Sequence, residues 1–364
     1  MTNQFTHAIA IKPLGLMYAS TGAFLSPENL VGASNTKFPP DAPTLSGIYA
    51  AHYGKDSDEL KSLQLAGSFW GRDGAESDFY VPTPFNYLVL KGQDHIIAGL
   101  IPLGDRWRLP NGNLPPEEKY NKHSWLRLSD WQYLNNFEGN VPRTTTGKAI
   151  AVASDPWESL PHLHPRLDRE QRIVYDDEES NLGSLYLENS VQLPDDVCLI
   201  YLANVSLPEG WYRFGGEGHL VEITSYPLNE KVTQLLNQPL GNTFALISPG
   251  VWGTNRFSFL EPRTLVRESG KPDVVEQQWH VSTRMSDRPQ AFRYRLGKKN
   301  ADDPDYLPKL LSRGRYAVPP GSVYVVDEPL PPWYQWHESE WFPQEAYSYK
   351  RWGSSLALPL SIGE

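Results

Sequence analysis

The sequence holds a single cysteine, Cys198, among 364 residues. One thiol cannot close an internal disulfide, and Cys198 lies in VCLIYLANV, an apolar run that reads as a buried strand. That usage fits a reducing compartment, so a cytoplasmic location is expected. No apolar run approaches the roughly 18 residues that a membrane-spanning helix needs, and no membrane association is expected. The opening MTNQFTHAIAIKPLGLMY carries no basic start, apolar stretch and small-residue cleavage site, so no signal peptide is expected. Positive charge is also short: 33 Lys+Arg face 43 Asp+Glu, a formal net charge of −10. That balance argues against indiscriminate nucleic-acid binding. The deficit is uneven, however. From Arg284 to Arg315 nine basic residues stand against four acids, which leaves open either a local basic face or a charge-balanced solvated surface.

Familiar catalytic motifs are missing too. PRTTTGKAI approaches a phosphate-binding loop but has Pro142 in place of the first glycine and Ala149 in place of the metal-holding hydroxyl. HESEW (337–341) begins like a zinc-protease helix and lacks the second histidine. His162 and His164 in HLH would share one face of a strand, yet no third spaced ligand accompanies them, so no metal is expected. There is no Gly-x-Ser-x-Gly elbow. Acids are plentiful, but a sequence gives no carboxylate separation and hence no glycosidase pair. One catalytic candidate remains. His52, beside Tyr53 and Lys55, supplies the base and cation of a metal-free ribonuclease. The same arrangement also describes an ordinary helix end with histidine set against the dipole.

What is present is core and turns. Hydrophobic content of 40% and aromatic content of 12% support a real interior, while 28 Gly and 32 Pro predict many turns. FTHAIAIKPLGLMY alternates like a strand, and PTLSGIYAAHYG (43–54) reads as a helix opened by Pro43 and stopped by Gly54. NYLVL and HIIAGLIPL (86–90, 95–103) predict a hairpin, and SWLRLSDWQYLNNF (124–137) has helical spacing. GSLYLENSVQL, VCLIYLANVSL, NTFALISPGVW, QAFRYRLG and GSVYVV read as strands, with a second helix over 228–238. Strands with few helices predict α+β, and the order strand, helix, two strands, helix, strand is that of a ferredoxin-like (RRM-like) unit. Two such domains with long insertions are expected, 1–225 and 226–364, divided where the pattern changes after Ile223.

The segment YRFGGEGHLVEI poses the main question. Its glycines are not spaced for a dinucleotide, and strands flank them where a phosphate site would need a helix. What remains is a backbone free to adopt positive φ and to approach a partner, flanked by Arg213 and His219 as phosphate contacts, or a plain hairpin.

This segment does not stand alone. Together with FPPDAPTLSGIYAAHYG (38–54), LAGSFWGRDGAESDFYVPTPFNYLVL (65–90), NLGSLYLENSVQL (181–193) and AVPPGSVYVV (317–326), it resembles the RAMP superfamily of CRISPR-associated proteins. The closer resemblance is to the third-subunit family of the type III-B (Cmr) effector complex. The pieces occur in the family's order across about 290 residues, and His219 stands where the family usually has a basic residue after its glycine loop.

The resemblance implies a non-catalytic subunit, without cofactor, that holds the 5′ handle of the guide RNA (crRNA). It would dock onto the large polymerase/cyclase-like subunit and the backbone RAMP subunits. Contacts to RNA would come from Lys37 and Ser46 around the first helix, from Arg213, Gly215, Gly216 and His219, from Arg256 and Phe257, and from Arg284 and Arg293. RTTTGK, with Arg143 and Lys148, would act as a flexible polar clamp. Trp333, Trp336, Trp341 and Trp352 would form a protein interface or cap the core. Two other readings stay open: a RAMP-type endoribonuclease using His52, and a carbohydrate-binding protein suggested by 12 Trp and 19 Tyr.

Overall fold

Small and apolar residues alternate in HAIAIKP to make strand β1 (His7–Pro13), whose residues Ala8 to Ile11 are buried in the middle of a sheet. The computed structural model describes residues 5–17, 38–104, 106–165, 185–254, 257–266, 274–297, 310–345 and 347–362. Helix α1 (Pro43–Tyr53) opens on Pro43, whose missing N–H costs nothing in a first turn, and ends at Gly54 with φ 89°. It buries Leu45, Ile48 and Tyr49, and it is tied down when the hydroxyls of Tyr49 and Tyr53 donate to the carbonyls of Val205 and Ser206. Helix α2 (Asp58–Ser62) is capped by Ser57, which accepts from Leu60 N.

The first sheet continues with β2 (Leu65–Arg72), β3 (Tyr80–Pro82), β4 (Trp125–Arg127) and β5 (Val152–Ala153). A separate two-stranded arm, β6 (Glu158–Pro165) and β7 (Leu185–Gln192), precedes β8 (Val197–Ala203), β9 (Gly210–Phe214) and β10 (His219–Pro227). The spatial order is β5-β4-β3-β2-β8-β1-β10-β9, with every neighbouring pair antiparallel. After α3 (Glu230–Leu236), capped by Asn229, a second sheet forms from β11 (Gly241–Leu246), β12 (Val281–Met285), β13 (Val323–Leu330) and β14 (Ala357–Pro359) in the order β12-β13-β11-β14.

The two sheets share a plan. In the first, the strands β1, β2, β8 and β10 lie in the order second, third, first, fourth, and the four strands of the second sheet repeat it. The helices differ. The first half has α1 and α2 between its first and second strands and replaces the later helix with β9. The second half has helical turns at Trp333–Gln335, Glu338–Trp341 and Tyr349–Trp352, between its third and fourth strands. The result is a mixed, sheet-rich fold with few helices.

Residue 225 falls inside β10, which pairs with β1 as far as Pro227, and α3 follows it before the second sheet begins. The helix expected over 124–137 is instead β4 followed by a 3-10 turn at Leu128–Tyr133. Pairing of Leu126 with Val81 and Val152 overrides the helical spacing, and Asp78 takes both Ser129 N and Ser129 Oγ. The four tryptophans of 333–352, read as either a protein interface or a cap on the core, are buried. Phe5 stacks on Trp333 at 5.8 Å, and Trp131 Nε1 donates to Pro359 O at 2.8 Å, so one hydrophobic cluster spans both sheets. Each such ring contributes on the order of 2–3 kcal/mol by burial.

Candidate nucleic-acid interface

The glycine segment is a hairpin. Phe214 pairs with His219, and Gly215-Gly216-Glu217-Gly218 makes the turn, closed by Gly218 N donating to Gly215 O at 3.3 Å. Gly215 and Gly218 have φ of 73° and 70°, which side chains with a Cβ rarely adopt. Alternation in GWYRF sends Tyr212 and Phe214 toward α1 and the core. Tyr212 meets the ring of His52 at 6.3 Å, and Phe214 meets Tyr201 at 6.3 Å. The turn therefore sits against the start of α1, where a Cβ on Gly215 would lie 3.8 Å from Thr44. Ser46, on that same first turn, donates to Pro43 O at 2.6 Å.

The opposite face of the hairpin is open. β9 is the edge of the sheet, and Arg213 is exposed on it beside Trp211, 69% exposed. Leu220, across from Arg213, and Leu14, whose N–H donates to Leu220 O, are exposed with them. Ser46, Arg213, Gly215, Gly216 and His219 thus come together around one hairpin and one helix start. Trp211 belongs with them and was missed, although its place two residues before Arg213 in a strand was a usable signal.

The other candidates lie elsewhere. Arg143 and Lys148 flank an ordered turn: Thr144 N donates to Lys148 O at 3.0 Å, Gly147 N to Thr144 O at 2.9 Å, and Arg143 lies 3.3 Å from Glu138. That turn is internally hydrogen-bonded, which differs from the flexible clamp expected. Arg284 donates to the buried Glu261 at 2.8 Å and lies over Tyr324, with Arg263 on the same carboxylate. Arg293 Nε donates to Ser312 O at 2.8 Å. Both arginines of the basic stretch therefore serve the interior. Phe257 is 45% exposed and stacks with Phe259, near exposed Tyr316 whose N–H donates to Ser258. Lys37 and Arg256 lie outside the described residues.

His52 is exposed at the end of α1 and meets Tyr53 edge-on at 4.7 Å, while the Tyr53 hydroxyl is engaged with Ser206 O at 2.7 Å. His162 and His164 pair across the β6–β7 arm with Glu188 and Tyr186. Among the described residues no group of three or more His, Cys, Asp or Glu could hold a metal. Cys198 is buried, and burial pushes its thiol up to about 12. Eleven of the 12 tryptophans are buried or half-buried, so the aromatic content describes a core and gives little support to a sugar platform.

The family described as CRISPR-associated protein (Cas_Cmr3) matches residues 17–362 of this chain. The chain belongs to that family, Cas_Cmr3. Among solved structures it aligns with a chain of the type III-B Cmr-beta complex bound to cognate target RNA, at 12% identity, covering 87% of this chain and 86% of that one, with a TM-score of 0.44. It also aligns with a chain of the Csm3-Csm4 subcomplex of the type III-A CRISPR-Cas interference complex, at 11% identity, 98% and 99% coverage and a TM-score of 0.37. No curated protein matches the chain.

Proposed function

We propose that this chain is the subunit of a type III effector complex that holds the 5′ handle of the crRNA, docks the large polymerase/cyclase-like subunit and the backbone RAMP subunits, and does not itself cut RNA. One observation carries the reading: the Gly215–Gly218 turn, seated on the first turn of α1, with Arg213 and Trp211 open beside it on an edge strand. Glycines let a phosphate approach the backbone, a guanidinium pairs with it in two places, and an exposed indole stacks on a base. The shared strand order supports two ferredoxin-like halves, each with a different helix reduced or replaced.

The tagged protein, purified gently from its host, is expected to bring down short RNAs sharing one 5′ end, together with larger protein partners. The double variant Trp211→Ala/Arg213→Ala should lose that RNA at least tenfold, since each base stack and each phosphate contact contributes about 1–3 kcal/mol. Undiminished RNA on the double variant would remove the hairpin from the reading. Incubation of the wild type with repeat RNA in chelator tests the endoribonuclease alternative: cleavage that disappears in His52→Ala would overturn the non-catalytic assignment.

A further inference from the structure

A groove of about 290 Å³ lies between the long insertion of the first half and the second sheet, lined by Thr83–Phe85, Tyr87 and Leu88 on one segment, Tyr120–Lys122 and Ser124 on another, and Met285-Ser286-Asp287 at the end of β12. None of the sequence-predicted contacts touches it. Its position follows from two segments that meet far from each other in sequence. Phe85 N donates to Gly321 O at 2.8 Å, and Gly321, at φ 91°, comes so close that a Cβ there would lie 2.9 Å from Thr83 O and 3.0 Å from the Phe85 ring. VPTPF and PPGS, both singled out in the sequence, are therefore locked together, and Thr83, Pro84 and Phe85 of the first form one wall of the groove.

The other wall is a short antiparallel ladder. Lys91 N donates to Lys119 O and Asn121 N to Val89 O, each at 2.8 Å, with Leu90 opposite Tyr120. This register sets Lys91 directly opposite Lys119, a like-charge pairing that is unfavourable without an anion between them. It also sets Lys122 opposite Leu88, at the mouth of the groove. All three lysines are exposed, and none of their ammonium groups has a hydrogen bond or ion pair among the described residues. Exposed Glu117, Glu118 and Asp94 stand in the same two segments, so the rim carries no net positive charge. A rim of that kind cannot track a long polyanion, but it can take a single phosphate.

Inside, the chemistry suits a ring. Phe85 is half-buried, lines the groove and meets His123 edge-on at 6.4 Å, and Tyr120 is half-buried with its hydroxyl donating to Pro116 O at 2.8 Å. Hydrogen-bonding groups line the rest: Asn121, Ser124, and Asp287, one of whose carboxylate oxygens accepts from Arg288 N at 2.7 Å. The volume lies at the lower end of the roughly 300–1,000 Å³ typical of small-molecule clefts, room for one ring system and too little for a helix.

Resting on the RNA reading above, we infer that this groove is a subsite for one unstacked nucleobase of a bound single strand, with the base against Phe85 and Tyr120 and its phosphate on Lys122. A carboxylate among the lining groups accepts hydrogen bonds, so a base with an exocyclic amino group is preferred over uracil.

The test uses the full chain and short oligo(C) and oligo(U) RNAs. Oligo(C) is expected to bind several-fold tighter than oligo(U), and Asp287→Asn should erase that difference. Lys122→Gln should lower the salt dependence of log K by about 0.7, the value of one single-strand phosphate contact. Tyr120→Ala should bind several-fold more weakly with an unchanged circular dichroism spectrum. Ultraviolet cross-linking followed by peptide mapping should place a nucleotide on Phe85 or Tyr120. Wild-type affinity in the Lys122 and Asp287 variants, with cross-links confined to the hairpin, overturns the subsite and leaves the RNA reading standing. If Trp211→Ala/Arg213→Ala and the groove variants all bind like the wild type, the RNA reading itself has failed. Cross-links from the groove to a co-purifying protein in place of RNA also overturn the subsite.

Discussion

At the scale of the residue, the cations divide into those used by the interior and those left to solvent. Arg284 and Arg263 neutralise Glu261, and Arg315 is buried against Tyr349 and Thr254 O, whereas Arg213 and Lys122 face outward. Nothing in the sequence separates these classes, because a side chain's partner comes from a strand far away; Arg284 reads as basic surface until β13 brings Tyr324 beneath it. Lys350 is the extreme case. Its Nζ donates to Tyr334 O at 2.8 Å and Trp336 O at 2.6 Å and lies over Trp333, and burial lowers its pKa from the usual 10.5 to about 8. The unfolded chain therefore holds a proton that the folded chain has released between pH about 8 and 10.5, and the contribution of Lys350 to stability rises with pH across that window while staying level below it. The raised Cys198 thiol works in the opposite direction above about pH 9, so the check is the difference in urea unfolding between wild type and Lys350→Met, which should rise with pH across the window. An equal slope in the variant would assign the effect to another group.

At the scale of the element, what was legible is whatever local pattern decides. GWYRF and HLVEI alternate with period two, GGEG supplies the turn between them, and the hairpin forms as its residues dictate. Pro43 and Gly54 mark α1 to within a residue. SWLRLSDWQY was misread because its fate depends on β3 and β5, which no local window contains. The groove was illegible for the same reason, since the Phe85–Gly321 contact joins two separate turns. The hairpin's own requirement can be measured. Gly215→Val and Gly218→Val each force a branched side chain into left-handed backbone, at a cost of about 1–2 kcal/mol or more. Both should reduce RNA binding with a modest loss of melting temperature, whereas Gly216→Ala, which has no positive φ to satisfy, should be mild. Equal effects at all three positions would mean that backbone conformation is not what the glycines provide.

At the scale of the whole molecule, two sheets of one plan are fused through a shared interior. Gly353, at φ 68°, packs so tightly on Ala66 that any Cβ would overlap it, and Arg351 donates to Leu60 O, so the last helical turns of the second half are seated on the first. Gly353→Val should cost roughly 3 kcal/mol or more from backbone strain and overpacking together. Because the core is common, both halves should melt in one transition that this variant moves downward as a unit; two separate transitions in calorimetry would contradict the shared core. The same architecture sets a timetable on the ribosome. β14 emerges after every other strand of the two sheets, and Trp131 waits 228 residues for the carbonyl that receives its indole proton. Until then β11 has an unpaired side and the aromatic interior is unclosed, so the two sheets complete their folding only once β14 has left the ribosome.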